Sequence, residues 1–302
     1  RYTELSHVGV IIILSETRCT LEGCGGGGIM GSNSLLLDGK ACALAVESRL
    51  AKRVKKLASN GIQPKLVVIL VGDDPASHVY VRNKESACGR VGIASFTHRL
   101  PASTTPDELH KLIEKLNFDN TVHGILVQSP LPEIHNEISL SSLISPEKDV
   151  DGFHPMNLGR LIQGDTSGLI PCTPYGVMEL LLHYNINLEG RKVLVIGRSR
   201  NVGMPLALLL SHRGADATVT LSHSKTIDLA YHCQNSEIIC AAIGQPSFVR
   251  SDWIKPNSIL IDVGINRIED QNRESGSRLI GDIDPNSWSK ASAYTPVPGG
   301  VG

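Results

Sequence analysis

The feature that most constrains this chain is a recurring unit: a short, unbroken apolar run, then a glycine or turn, then a stretch with helical spacing. Lys65–Gly72 (KLVVILVG), Val122–Gln128 (VHGILVQ) and Arg191–Gly197 (RKVLVIG) are all of strand length and apolar on both faces. Runs of that kind suit strands covered by helices on each side, which parallel sheets require. Between them, Leu35–Asn60, Asp74–Val91, Asp107–Asn117, Pro174–Tyr184 and Asn201–Arg213 carry apolar residues near a 3.6 period and read as helices. Further strands are expected at Ala217–Ser222, Ser236–Gly244 and Asn257–Gly264. Alternating strands and helices define an α/β fold, and the second series reads as a doubly wound, mostly parallel, Rossmann-like sheet.

The 302 residues suffice for two such domains. The boundary is expected within Ser145–Thr173, which carries PEKDVDGFHP and several further Gly residues. The reading divides the chain into an atypical leader at 1–33, an N-terminal catalytic domain at 34–154 and a nucleotide-binding domain at 155–290, with a substrate loop at 291–302. Within the leader, Met30 follows the Gly25–Gly28 tract and reads as the true start, the residues before it lying outside the fold.

Composition narrows the function. Twenty-nine Lys+Arg against 30 Asp+Glu leave a net charge of −1, and aromatic residues are 4%. Neither a basic nucleic-acid surface nor a base-stacking platform is expected. No apolar run reaches the length of a membrane-spanning helix. The seven cysteines have no CxxC spacing, so no metal site is expected; they read as reduced thiols of a cytoplasmic protein.

The turn after RKVLVIG carries a nucleotide signal. Gly197 permits a tight turn, Gly203 lets the next helix pack close, and the helix start offers free N–H groups to a phosphate. The spacing is not GxGxxG, and such a turn also serves as a plain connection. The end of the following strand reads Ser222-His223-Ser224-Lys225-Thr226, without the carboxylate that would hold a 2′-hydroxyl. Arg198, Ser224 and Lys225 can instead bond a 2′-phosphate, which predicts NADP over NAD.

A second constellation lies in the first half. Ser77, Tyr80 and Lys84 share one helix face just beyond KLVVILVG, Gln128 ends the next strand, and Asp149 and Asp151 sit in the loop KDVDG. A lysine, a carboxamide, a tyrosine and an aspartate thus converge on one opening. Each also has a plain alternative: a surface lysine, an amphipathic tyrosine, a strand end and an ordinary turn.

The strings VGDDPASHVYVRNK, GILVQSPLP, PEKDVDGFHPMNLGRL, PCTP, VIGRSRNVGMP, HSKT and TPVPGGVG occur in that order. Together they resemble the bifunctional methylenetetrahydrofolate dehydrogenase/cyclohydrolase family, over about Leu35–Gly302. The resemblance implies two α/β domains flanking a cleft, usually in a homodimer. It also implies oxidation of 5,10-methylenetetrahydrofolate with NADP and hydrolysis of the methenyl product to 10-formyltetrahydrofolate. By the same resemblance Lys84 is the catalytic lysine, Gln128 orients it and Asp151 binds the pterin edge. Tyr80 stacks on the aminobenzoyl ring, while Ser77, Val127, Ser129, Pro298, Gly299 and Gly300 line the substrate. Gly197, Arg198, Ser199, Ser224 and Ile265 hold the cofactor. The family's chain continues past TPVPGGVG into a C-terminal helix. Two rival expectations stand beside this: another two-domain dehydrogenase of amino-acid or shikimate type, and an inactive NADP-binding product.

Overall fold

A computed structural model describes residues 34–302 except 136, 166, 274 and 275; at 137 and 138 only the backbone is described. The leader and Met30 fall outside the described residues. The chain divides into two compact units, one of residues 44–172 and the other of 173–302 joined by 34–43.

The first unit is built on three parallel strands in the order β3-β2-β4: β2 (Lys65–Val71), β3 (Ala94–Leu100) and β4 (Gly124–Val127). The central strand explains why KLVVILV is apolar throughout. Val67, Ile69 and Val71 pack on one face with Leu109, Ile113 and Leu116 of helix α3 (Pro106–Phe118). Val68 and Leu70 pack on the other with Val81 of helix α2 (Pro75–Val91). Helix α1 (Gly39–Ser59) precedes this sheet; α4 (Glu137–Ser141) and α5 (Pro155–Gln163) follow it.

The second unit is built on a six-stranded sheet, its strands all paired in parallel, in the order β1-β11-β8-β7-β5-β6. They are β1 (Leu35–Leu36), β5 (Lys192–Ile196), β6 (Thr218–Ser222), β7 (Ile238–Ala241), β8 (Ile259–Asp262) and β11 (Ala293–Tyr294). Helices α6 (Cys172–His183), α7 (Gly203–Ser211) and α8 (Leu229–Gln234) accompany them, and β9 (Asn266–Glu269) pairs antiparallel with β10 (Ser277–Ile280). Its core joins Leu194, Ile196, Ile239, Leu260 and Ile283.

Three local expectations change. Leu35–Leu36 is not helical: its backbone completes the sheet edge beside β11, and the helix begins at Gly39. Ala94–Leu100, for which the sequence carries no strand signal, is a full strand paired along β2. The segment 145–173 holds α5, capped by His154 and closed by Gly164 in the left-handed region.

Candidate active site

Helix α2 delivers the lysine, and local chemistry fixes where it starts. The Asp74 carboxylate accepts the Ser77 N–H at 2.7 Å, Pro75 occupies the first turn, and Gly92 closes the helix at φ 84°. Ser77 is then 1% exposed, its Oγ directed at the Ser129 carbonyl. Lys84, two turns on and half-buried, donates from Nζ to Gln128 Oε1 at 3.1 Å.

Gln128 follows β4, and its own N–H donates to Ile69 O, extending the β2–β4 ladder by one bond. Its Nε2 donates to Ser129 O at 2.6 Å. With the amide nitrogen so engaged, the carboxamide can turn only its oxygen to Lys84. Gln128, itself 8% exposed, thus holds the ammonium by an uncharged acceptor.

The two aspartates of KDVDG separate into different tasks. Asp149 bridges to Ile125 beside β4 and is 2% exposed; its Oδ2 accepts from the His154 N–H at 2.7 Å and Asn157 Nδ2 at 3.0 Å. It ties the start of α5 to the sheet. Asp151, two residues on, has no hydrogen-bond partner among the described residues. Burial pushes its carboxyl up to about 6; the Lys84 charge pulls it down and Asp149 pushes it further up. A desolvated, unpartnered carboxylate within the field of a lysine is a group prepared for a ligand. Gly152 makes this corner possible: φ is 71°, and a side chain would collide with the Ile170–Pro171 backbone.

Cys172 was not singled out by sequence reasoning, although PCTP was one of the strings noted. The residue is exposed, yet its Sγ donates to Val150 O at 3.1 Å. The surrounding protein, with Asp151 adding to it, pushes the thiol up to about 12, so it stays protonated at neutral pH. Tyr80 lies one turn before Lys84 on α2 and is 52% exposed, an aromatic face open to a ligand.

The second unit presents the glycine turn between β5 and α7. Gly197 has φ 110°, and a side chain there would run into the Ala242 carbonyl. A side chain at Gly203 would meet the Gly197 carbonyl, so the first turn of α7 lies directly against the end of β5. Ser199 Oγ accepts from the Val202 and Gly203 N–H groups, holding the loop closed over the helix start. Arg198, Ser199, Ser224 and Lys225 are exposed, and residues 222–226 contain no carboxylate. A glycine cradle, a helix N-terminus and a cationic rim fit a phosphorylated dinucleotide. Ile265, beyond β8, is 42% exposed. Pro298, Gly299 and Gly300 lie in the second unit, where Gly299 O accepts from the Gly39 N–H at 2.9 Å. Among the described residues no group of His, Cys, Asp and Glu could hold a metal ion, and no helix is long and apolar enough to cross a membrane.

A lysine–carboxamide–carboxylate cluster in one α/β unit and a glycine-lined strand-to-helix turn in the other fit a nucleotide-dependent enzyme. Residues 37–151 match the catalytic domain of tetrahydrofolate dehydrogenase/cyclohydrolase, and residues 171–302 match its NAD(P)-binding domain. The bifunctional protein FolD of Geotalea daltonii is 49% identical over 268 residues, covering 88% of this chain and 92% of its own. The FolD of Magnetococcus marinus is 51% identical over 269 residues, covering 88% and 91%. Among solved structures, FolD of Campylobacter jejuni superposes with a TM-score of 0.84 at 46% identity, over 89% of this chain and 93% of that one. The Trypanosoma brucei enzyme, solved with NADP cofactor and an inhibitor, gives 0.83 at 38% identity, over 89% and 92%. The chain belongs to the tetrahydrofolate dehydrogenase/cyclohydrolase family. It is a bifunctional methylenetetrahydrofolate dehydrogenase and methenyltetrahydrofolate cyclohydrolase of one-carbon metabolism.

Proposed function

We propose that Lys84, Gln128 and Asp151 carry the folate chemistry and that NADP is the cofactor held at the Gly197 turn. The observation that carries the first part is the Lys84 Nζ to Gln128 Oε1 bond at 3.1 Å, with the carboxamide fixed by Ser129. Asp151 accepts from adjacent N–H groups of the pterin, fixing its orientation through two oxygens. Tyr80 packs on the aminobenzoyl ring, and Ser77, Val127 and Ser129 shape the floor beside it. The family resemblance assigns Pro298, Gly299 and Gly300 to the substrate as well. NADP held at the Gly197 turn would supply the hydride acceptor; the chain's contribution to that step is alignment, since the folate nitrogen's lone pair drives hydride departure. Hydrolysis asks more of the protein. Water adds to the methenyl carbon, and Lys84 manages the proton at the ring nitrogen as the bridge opens.

Arg198, Ser199 and Ser224 support the phosphates, Ser224 lies near the 2′-phosphate, and Ile265 lies near the nicotinamide end. The family resemblance supports a homodimer. Four of the five described cysteines are buried, which fits a reducing, cytoplasmic compartment. Lys84→Met tests the central assignment. Absorbance of the methenyl species should show hydrolysis falling by at least about a hundredfold, the range of a lost general acid or base. Tetrahydrofolate should still bind. Near-normal hydrolysis would remove Lys84 from the mechanism.

A further inference from the structure

Two carboxylates that the mechanism does not use are buried at the carboxyl end of the second sheet. Asp282 is 0% exposed and Asp262 is 4% exposed. Asp282 Oδ2 accepts from the Ile243 N–H at 2.7 Å and the Gly244 N–H at 3.0 Å. Its Oδ1 accepts from the Gln245 N–H at 2.8 Å and from Asn266 Nδ2 at 2.9 Å. Four donors from two separate loops therefore converge on one side chain. Asp262 holds that side chain's own backbone, its Oδ1 accepting from the Asp282 N–H at 2.8 Å and its Oδ2 from the Ile283 N–H at 2.8 Å. Space is reserved for both groups. A side chain at Gly264 would strike the Asp282 carboxylate, and one at Gly281 would strike that of Asp262.

The position of those loops gives the arrangement its meaning. In the order β6-β5-β7-β8 the winding reverses between β5 and β7, and ligands of such sheets bind outside the carboxyl ends at that reversal. The loop after β5 is the Gly197 turn. The loop after β7 is Ala242–Gln245, whose Ala242 carbonyl lies where a side chain on Gly197 would go. Asn266, the other partner of Asp282, follows Ile265.

From this we propose that Asp282 is a positioning residue for the dinucleotide: it fixes the 243–245 loop as the second wall of the crevice opposite the Gly197 turn and anchors the 264–266 loop beside it. The proposal rests on the reading of the Gly197 turn as the dinucleotide site. Replacing the carboxylate by a carboxamide keeps one acceptor oxygen and turns an N–H₂ on the other pair of donors, so one of the two pairs of hydrogen bonds is lost.

The test is NADPH fluorescence titration of the full chain with Asp282→Asn, with Gly203→Val as a reference that fills the Gly197 turn directly. We expect the NADPH Kd to rise about tenfold, the scale of one poorly satisfied buried group, while tetrahydrofolate affinity on the same sample moves less than twofold. If Gly203→Val weakens NADPH and Asp282→Asn does not, the positioning role is refuted and the site stands. If neither variant changes the Kd, both readings fall. Should Asp282→Asn not fold, Asn266→Ala removes a single bond to the same carboxylate. A Kd raised severalfold there supports the anchor, and an unchanged Kd refutes it.

Discussion

Asp151 carries a stability cost that can be measured independently of turnover. Its carboxyl is pushed from an ordinary 3.8 up to about 6, chiefly by burial. That gap corresponds to about 3 kcal/mol between protonated and ionised forms, and solvent access to the half-buried site reduces it to on the order of 1–2 kcal/mol. The sign follows from proton counting. The folded chain keeps the proton to higher pH than the unfolded chain does. Between pH 3.8 and about 6 the unfolded state therefore binds fewer protons, and stability falls as pH rises through that window. Above it the whole penalty is present. Asparagine has no proton to lose. Asp151→Asn should therefore be more stable than the parent by about 1–2 kcal/mol at pH 8, with about half of that difference left at pH 5. The assay is urea unfolding followed by circular dichroism at both pH values. Trp253 and Trp288 both lie in the second unit, so tryptophan fluorescence provides an internal reference that should not move. The same variant should bind tetrahydrofolate at least about tenfold more weakly, the exchange of stability for function expected of a desolvated ligand-binding group. Equal or lower stability at pH 8, or a difference that does not change with pH, would refute the reasoning.

Two further outcomes bear on the cofactor and the assembly. Ser224→Asp restores a carboxylate at the end of β6, so kcat/KM for NADP should fall at least about tenfold while the value for NAD holds or rises; equal losses with both cofactors would refute the placement of the 2′-phosphate. Light scattering of the chain should return twice its 32.5 kDa mass, and a single-chain mass would refute the homodimer.

What the sequence disclosed was governed by burial. KLVVILV and KVLVI announce themselves because both faces of β2 and β5 are buried, leaving no polar position in either interior. Ala94–Leu100 does not, because β3 pairs with β2 on only one side among the described strands and carries Ser95, Thr97, His98 and Arg99 at partly solvated positions. Leu35–Leu36 has no local signature at all; two residues become a strand only because β11 lies beside them. The same division runs through the site. Lys84 and Gln128 were legible as types on a helix and at a strand end, but the distance between them depends on β2 spacing α2 from β4, which no local pattern encodes.

The aspartates make the point more sharply. Asp149 and Asp151 are indistinguishable in KDVDG, two residues apart and chemically identical, so local pattern cannot tell their tasks apart. The structure separates them by what each already bonds. The Oδ2 of Asp149 accepts from His154 and Asn157 at the start of α5, a helix inside the segment where the sequence places the domain boundary. That leaves Asp151 desolvated and without a partner. The principle extends to Asp262 and Asp282, twenty residues apart in unremarked sequence, each saturated with backbone donors supplied by register alone. A buried carboxylate whose acceptors are filled by the fold organises the fold. One whose acceptors are empty is held ready for a ligand, and satisfaction, rather than burial or charge, tells the two apart.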